Sequence, residues 1–265
     1  MDVLGYALMG NHLHLIVRTR SDLAASWLPG QVRRRLVASA TVTDGRPCRP
    51  DDVGAGPALD AEDLVAARHK LSHPGSMLRA VKEGFARRLN QKERSSGHVW
   101  ESRYQNVALL DAGGVLACQV YVDLNSFRAN LVEDPALSSF CSAWHRRGVD
   151  GGAPDALLAQ HLPRDPGHPL LDLRGRPGGT WSWSDAELAD LTLATRMIRH
   201  RSGRLPSWAQ DLLPRLGVQV NRWADSQGRG GLMSGNVLAA HATRSALPGL
   251  RMPSDKSGLF GIIEG

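Results

Sequence analysis

Apolar residues crowd the first seventeen positions, with Val3, Leu4, Leu8, Leu13, Leu15, Ile16 and Val17 setting a short-period pattern. That pattern predicts a strand over residues 2–18, with Gly10-Asn11 marking a local bulge or kink. His12 and His14 flank a single apolar residue, Leu13. Side chains alternate along a strand, so residues two apart share a face and lie roughly 6.5–7 Å from one another. The triplet therefore aims two imidazoles at one point, where a single divalent metal can sit. The same triplet also suits two polar residues on the wet face of an antiparallel strand.

Beyond this strand the period changes. Residues 21–73 read as an insertion: a short basic helix around Arg33, Arg34 and Arg35, a Gly/Pro/Asp-rich loop near 44–58, and a short helix over 60–69. After Ser76, Leu78, Val81, Phe85 and Leu89 recur at spacings of three and four, which predicts an amphipathic helix with one apolar stripe. Off that stripe stand Arg79, Lys82, Arg87, Arg88 and Lys92, with Glu83 and Glu93, and Ser95-Ser96-Gly97 closes the helix. A basic face of this kind serves either solvation or phosphate contact. A second strand is predicted within residues 98–110, and Asp111 is placed to cap a helix over 112–125.

Gly, Pro and Asp dominate from about 148 to 179, which predicts a linker. Ser184 with Glu187 forms a capping box for a helix reaching about residue 200, with Leu188, Leu191, Ala194 and Thr195 on its apolar side. Further helices are predicted over 207–216 and around Trp223, and the chain beyond Pro248 reads as frayed. The predicted organisation is an α+β domain over 1–147, a linker over 148–180 and a small helical region over 181–265.

Composition narrows the function. The chain has 265 residues, and its apolar fraction of 42% is enough for a buried core. No apolar run approaches the ~20 residues of a membrane span, and the N-terminus lacks a signal-peptide pattern, so a cytoplasmic protein with no membrane partner is expected. Cys48, Cys118 and Cys141 are too scattered for a zinc knuckle or a disulfide framework. A net charge of +6, carried mostly by arginine, favours a polyanionic partner.

A metal held by histidines calls for a nucleophile or base nearby, and the chain has three tyrosines. Tyr6 lies on the histidine strand, ~20 Å from His12 if that strand stays extended. Tyr104 lies on the second strand. Tyr121 and Asn125 are four apart on the predicted helix and share a face. This pair can supply a phenolic oxygen and an amide oxygen ligand, or it can be a ring packed in the core beside a helix-end asparagine.

Three blocks carry a resemblance. Leu8-Met9-Gly10-Asn11-His12-Leu13-His14-Leu15 resembles the Leu-Met-Pro-Asn-His-x-His-Leu signature of single-tyrosine transposases of the HUH class, and among them the REP-associated tyrosine transposases and their insertion-sequence relatives. Residues 97–104 resemble their Gly-x-Phe/Trp-x-x-Arg-Phe/Tyr segment. Residues 121–132 resemble their Tyr-Ile-x-x-Asn-Pro-Val-Arg-Ala-Gly-Leu-Val segment. The resemblance implies a ferredoxin-like antiparallel sheet with helices on one face. It implies Mg²⁺ or Mn²⁺ held by His12, His14 and Asn125, and Tyr121 as the nucleophile. Tyr104, where relatives often carry Phe, is structural on this reading, with a nucleophilic role as the alternative. The implied substrate is single-stranded or hairpin DNA held by Arg79, Lys82, Arg87, Arg88, Lys92 and Arg103, in a nucleoid-associated setting. A homodimer, with the tyrosine serving its own or the neighbouring copy, stays open. Trp100 is placed either to stack on a base or in the core.

The chain departs from the pattern in four places. Relatives carry a strand and a helix before the histidine strand, and that strand would be central in the sheet. Its apparent lack points to a start placed too far downstream or to a decayed copy. The family's first proline is Gly10, and its Asn-Pro and Ala-Gly steps are Asn125-Ser126 and Ala129-Asn130, which would loosen the helix end around Asn125. A catalytically silent, domesticated hairpin-DNA binder and an inactive remnant are the alternatives.

Overall fold

The computed structural model describes residues 1–39, 59–101, 104–147, 183, 185–199, 204–223, 233–234, 237–238 and 259–264. Gly10 and Asn11 do not kink one long strand; they turn it back on itself. β1 (Asp2–Leu8) and β2 (Leu13–Arg18) pair antiparallel, and Met9 N–H donates to His12 O at 2.8 Å across the turn. A Gly-Asn step between two apolar runs suits a two-residue hairpin loop, and pairing satisfies backbone groups that a lone strand would leave open.

On its other side β2 pairs with β6 (Leu259–Glu264), which pairs in turn with β3 (Gln105–Leu109), both antiparallel. Two short strands, β4 (Met233–Ser234) and β5 (Val237–Leu238), extend the sheet beyond β3, giving the order β1-β2-β6-β3-β5-β4. The central position left open in the sequence reading is therefore filled from residues 259–264. Within the tail expected to be frayed, in a region expected to be purely helical, residues 259–264 are a strand bonded on both sides, and the rest of that tail lies outside the described residues. The strand's signal is in the sequence: Leu259, Phe260, Ile262 and Ile263 form a short apolar run behind Ser257-Gly258, the pattern of a strand buried within a sheet.

Ile16 and Val17 are both fully buried although alternation points them to opposite faces of β2. On one face, Leu4, Ala7, Ile16, Val107 and Leu109 pack with α5 (Ala112–Asp123). On the other, Leu78 of α4 (Pro74–Glu93) packs with Val3, Val17 and Ala108. The expectation of helices on one face is thus corrected. β2 and β3 carry apolar residues at consecutive positions, so neither face can be left in water. The fold class is α+β.

α5 is apolar nearly all round, the mark of a helix buried on every side. α6 (Asn125–Arg128) follows it directly, and α7 (Ser142–Arg147) packs near β1. The outer side of α5 is covered by α8 (Asp185–Arg199) and α9 (Ser207–Arg215), whose Leu188, Leu191, Leu212 and Leu213 join the same cluster as Ile16 and Val115. Trp183 Nε1–H donates to Gln119 Oε1 of α5 at 3.2 Å, and Trp223 Nε1–H donates to Thr195 Oγ1 of α8 at 2.8 Å. The C-terminal helices are a wall of the main core rather than an appendage.

α1 (Ser21–Ser26), α2 (Pro29–Ser39) and α3 (Ala61–Ser72) form the insertion, tied by Arg68 donating to Trp27 O and by the Arg35 guanidinium 4.2 Å from the Trp27 ring centre. The predicted loop at 44–58, the linker at 148–180 and the Ser184 cap lie outside the described residues. Among the described residues no helix is long and apolar enough to cross a membrane.

Candidate metal and nucleophile site

Alternation from the hairpin turn puts His12, His14 and Ile16 on the face that α5 crosses. The His12 and His14 rings meet edge to face, their centroids 4.9 Å apart at 84°. α5 starts where Asp111 Oδ1 accepts from Gly114 N–H at 2.7 Å. About three turns later it delivers Tyr121, whose ring lies 5.8 Å from that of His14 at 79°. Two segments distant in sequence thus bring two imidazoles and one phenol into a single cluster. His14 is buried, whereas His12 and Tyr121 are half-buried, so the cluster opens to solvent on the His12 side.

The polar contacts suit ligation. His12 Nδ1 lies 2.6 Å from Asn11 Oδ1. An amide oxygen only accepts, so Nδ1 carries the proton and Nε2 keeps the lone pair that a metal would use. Asn125 is buried, and its Nδ2–H donates to Tyr121 O at 2.9 Å. With the amide nitrogen held by the preceding turn, Oδ1 is the atom left to act as a ligand. The helical path breaks at Leu124, yet the four-residue spacing of Tyr121 and Asn125 survives.

The helix end is not loosened as expected. Asn130 takes the left-handed conformation at φ 55°, its N–H bonds Phe127 O at 2.9 Å, and Leu131 N–H bonds Ser126 O at 3.0 Å. Asparagine is the residue after glycine that best tolerates this conformation, so the cap persists without the family glycine.

Two neighbours went unassigned in the sequence. Arg128 sits two turns after Tyr121, and its guanidinium lies 4.6 Å from the phenol ring centre while Nη1–H donates to Tyr121 O at 3.4 Å. The seven-residue spacing was the available signal. Asp123 is buried two residues from Tyr121, but its Oδ1 accepts from Ser142 Oγ at 3.1 Å, and Ser142 Oγ accepts from Tyr6 N–H at 3.1 Å. That carboxylate ties α5 to β1 and α7.

Burial, and after it the charge of Asp123, pushes the Cys118 thiol up to about 12, so it offers no thiolate ligand. Among the described residues no three His, Cys, Asp or Glu side chains gather in one place. The donors implied by the resemblance, His12, His14 and Asn125, are two imidazoles and one amide oxygen.

The other tyrosines lie elsewhere. Tyr104 packs with Leu78 and Val17 on the opposite face of the sheet, which separates it from the histidines. The hairpin sets Tyr6 against Leu15, and alternation turns it away from the Ala7–His14 pair. The cations of α4 are also remote from this cluster, because α4 covers the Leu78 face. Arg79, Arg88 and Lys92 are exposed, and Glu83 pairs with Arg87 and lies 3.9 Å from Arg79. Arg103 lies outside the described residues. The apolar stripe of α4 is corrected too: Leu78 is buried, but Val81 and Phe85 are each 51% exposed.

No family model, curated protein or solved structure matches the chain.

Proposed function

We propose that this chain is a metal-dependent tyrosine nuclease-transposase acting on single-stranded or hairpin DNA, of the HUH class that its three sequence blocks resemble. The observation that carries the reading is the contact of His12, His14 and Tyr121, which the sequence alone left far apart. The sheet supports it as well. With β6 in the central slot, β1-β2-β6-β3 runs antiparallel throughout, in keeping with a ferredoxin-like arrangement.

His12 Nε2, an imidazole nitrogen of His14 and Asn125 Oδ1 would hold one Mn²⁺ or Mg²⁺, with imidazole donors favouring Mn²⁺. Held there, such an ion would supply Lewis-acid polarisation of a scissile phosphate, and a donor set without carboxylates would leave its charge largely unneutralised. Tyr121 Oη forms the new bond to phosphorus as the bond to the 3′ oxygen breaks. The phenolic proton goes to water and the departing oxygen takes one up, leaving a 5′-phosphotyrosine and a free 3′-hydroxyl. Arg128, already over the ring, offers its guanidinium to the phosphate oxygens. The cations of α4 grip the DNA backbone.

A second reading, DNA binding without cutting, is favoured by the position of those cations on the opposite face of the sheet. The two readings separate in a nicking assay with end-labelled single-stranded hairpins. Nicking with Mn²⁺ that disappears with EDTA and in His14→Ala supports the nuclease. Retained binding with no nick supports the silent binder.

A further inference from the structure

We infer that Arg196 of α8 is a positioning residue of the proposed site: its guanidinium, set over the Phe127 ring, holds the single helical turn that carries Asn125 and Arg128. This inference rests on the metal reading above and gives α8 a part in it. The turn in question, α6, has four residues, with Asn125 opening it and Arg128 closing it. One turn of helix is not stable by itself. The helical path breaks at Leu124 just before it, and Ser126 stands where the resembled segment carries proline, so no pyrrolidine ring fixes the backbone there. A metal donor displaced by about 1 Å loses most of its use, so Asn125 depends on whatever holds this turn.

Contacts on several sides hold it. Ser126 Oγ lies 3.2 Å from Ser138 Oγ and 3.9 Å from Met9 Sδ, beside the hairpin turn that bears His12. At the far end Ala129 N–H donates to Asn125 O at 2.9 Å, and the Asn130 and Leu131 amides close the cap. The remaining contact comes from α8, whose Arg196 guanidinium lies 4.8 Å from the Phe127 ring centre. Phe127 and Arg196 are both half-buried, and a cation over a ring gains strength as water is excluded. α8 is a firm support, since Leu188, Leu191 and Thr195 on it are buried.

Residues two apart on a helix do not share a face. Phe127 therefore leaves the turn on a different side from Asn125, and Arg196 acts on the backbone of α6 rather than on the donors themselves. The pair also continues a series. Arg196 of α8 lies over Phe127 of α6, and Arg128 of α6 lies over Tyr121 of α5. Two guanidinium–ring contacts thus run from α8 through the ligand-bearing turn to the proposed nucleophile. Arginine suits both places, because its planar guanidinium packs on an aromatic face while its charge is kept.

The test uses the full chain with Arg196→Met, which keeps an apolar stem and removes the cation, and with Arg196→Lys. Amide exchange at Ala129, Asn130 and Leu131, followed by NMR, should speed up roughly three-fold or more in Arg196→Met, while exchange over residues 115–120 of α5 stays as it was. The Mn²⁺ Kd, read by titration calorimetry without DNA, should rise roughly ten-fold, and Arg196→Lys should recover most of both changes. Phe127→Leu, which removes the ring face, should match Arg196→Met, and the double variant should add little to either. Equal acceleration throughout α5, additive effects of the two substitutions, or weaker DNA binding with cap exchange and Mn²⁺ affinity unchanged would overturn the proposal. Faster cap exchange with no Mn²⁺ bound by the unmodified chain keeps the brace and rejects the metal reading. Mn²⁺ binding that Arg196→Met leaves unchanged does the reverse.

Discussion

Trp223→Ala is the sharpest probe of how the chain is assembled. The indole is 1% exposed and packs in the cluster that also holds Leu116, Val120 and Ile16. Its N–H donates to Thr195 Oγ1 at 2.8 Å, and that hydroxyl donates to Leu191 O at 2.6 Å. Truncating a buried tryptophan costs about 3–5 kcal/mol, of which the lost hydrogen bond is about 1. Against the ~5–15 kcal/mol that holds a typical domain together, this is about a fifth or more. If the C-terminal helices are a wall of the main core, β2 must feel the loss although Trp223 lies far from it in sequence. Amide hydrogen exchange over residues 13–18 should then speed up by about 150-fold or more, the ratio that 3 kcal/mol sets. Guanidinium unfolding followed by circular dichroism should stay a single transition at a lower midpoint. Two transitions, with the exchange of residues 13–18 unchanged, would refute the single core and restore the separate appendage.

Three further outcomes follow from particular contacts. Gly261→Pro removes a backbone donor from β6 between Ile16 and Val107; it should destabilise the chain by about 3 kcal/mol or more, read as a fall in the denaturation midpoint, and an unchanged midpoint would remove β6 from the centre of the sheet. The hydrogen bonds from Arg20 hold the Asp22 carboxyl at about 2, below the ordinary carboxylate range. The stabilising contact is therefore complete above that ordinary range and is lost as pH falls through about 2; a carboxyl NMR titration should find this midpoint, rising in Arg20→Gln. Cys118, pushed up to about 12, and the fully buried Cys141 should resist iodoacetamide at pH 8 until the chain is unfolded, with peptide mass mapping as the check.

Local chemistry was legible from the residues, while coverage by distant segments was not. The two-residue spacing of His12 and His14, the Asp111 cap and the four-residue spacing of Tyr121 and Asn125 need only their own neighbours to form, and the structure has all three. Gly10-Asn11 was ambiguous because the same pair suits a kink or a hairpin, and the choice depends on whether β1 finds β2. The stripe through Leu78, Val81 and Phe85 told which residues share a face, but not that only Leu78 meets the sheet. The all-round apolar character of α5 pointed to a second cover, yet nothing in its own sequence identified α8 as that cover. β6 is the extreme case, since a six-residue strand with four large apolar residues, distant in sequence, pairs with β2 beside His14. Arg128 escaped notice because a pairing two helical turns away gains meaning only once Tyr121 is given a role.

The central claim is that Tyr121 is a nucleophile served by His12 and His14. Its most direct test is to incubate the full chain with single-stranded hairpin DNA and Mn²⁺, digest the denatured product, and locate any nucleotide-bearing peptide by mass spectrometry. The account predicts a phosphodiester adduct on Tyr121 that needs the metal, disappears in Tyr121→Phe and persists in Tyr104→Phe. An adduct on Tyr104, or DNA cut with no adduct on any tyrosine, would contradict it.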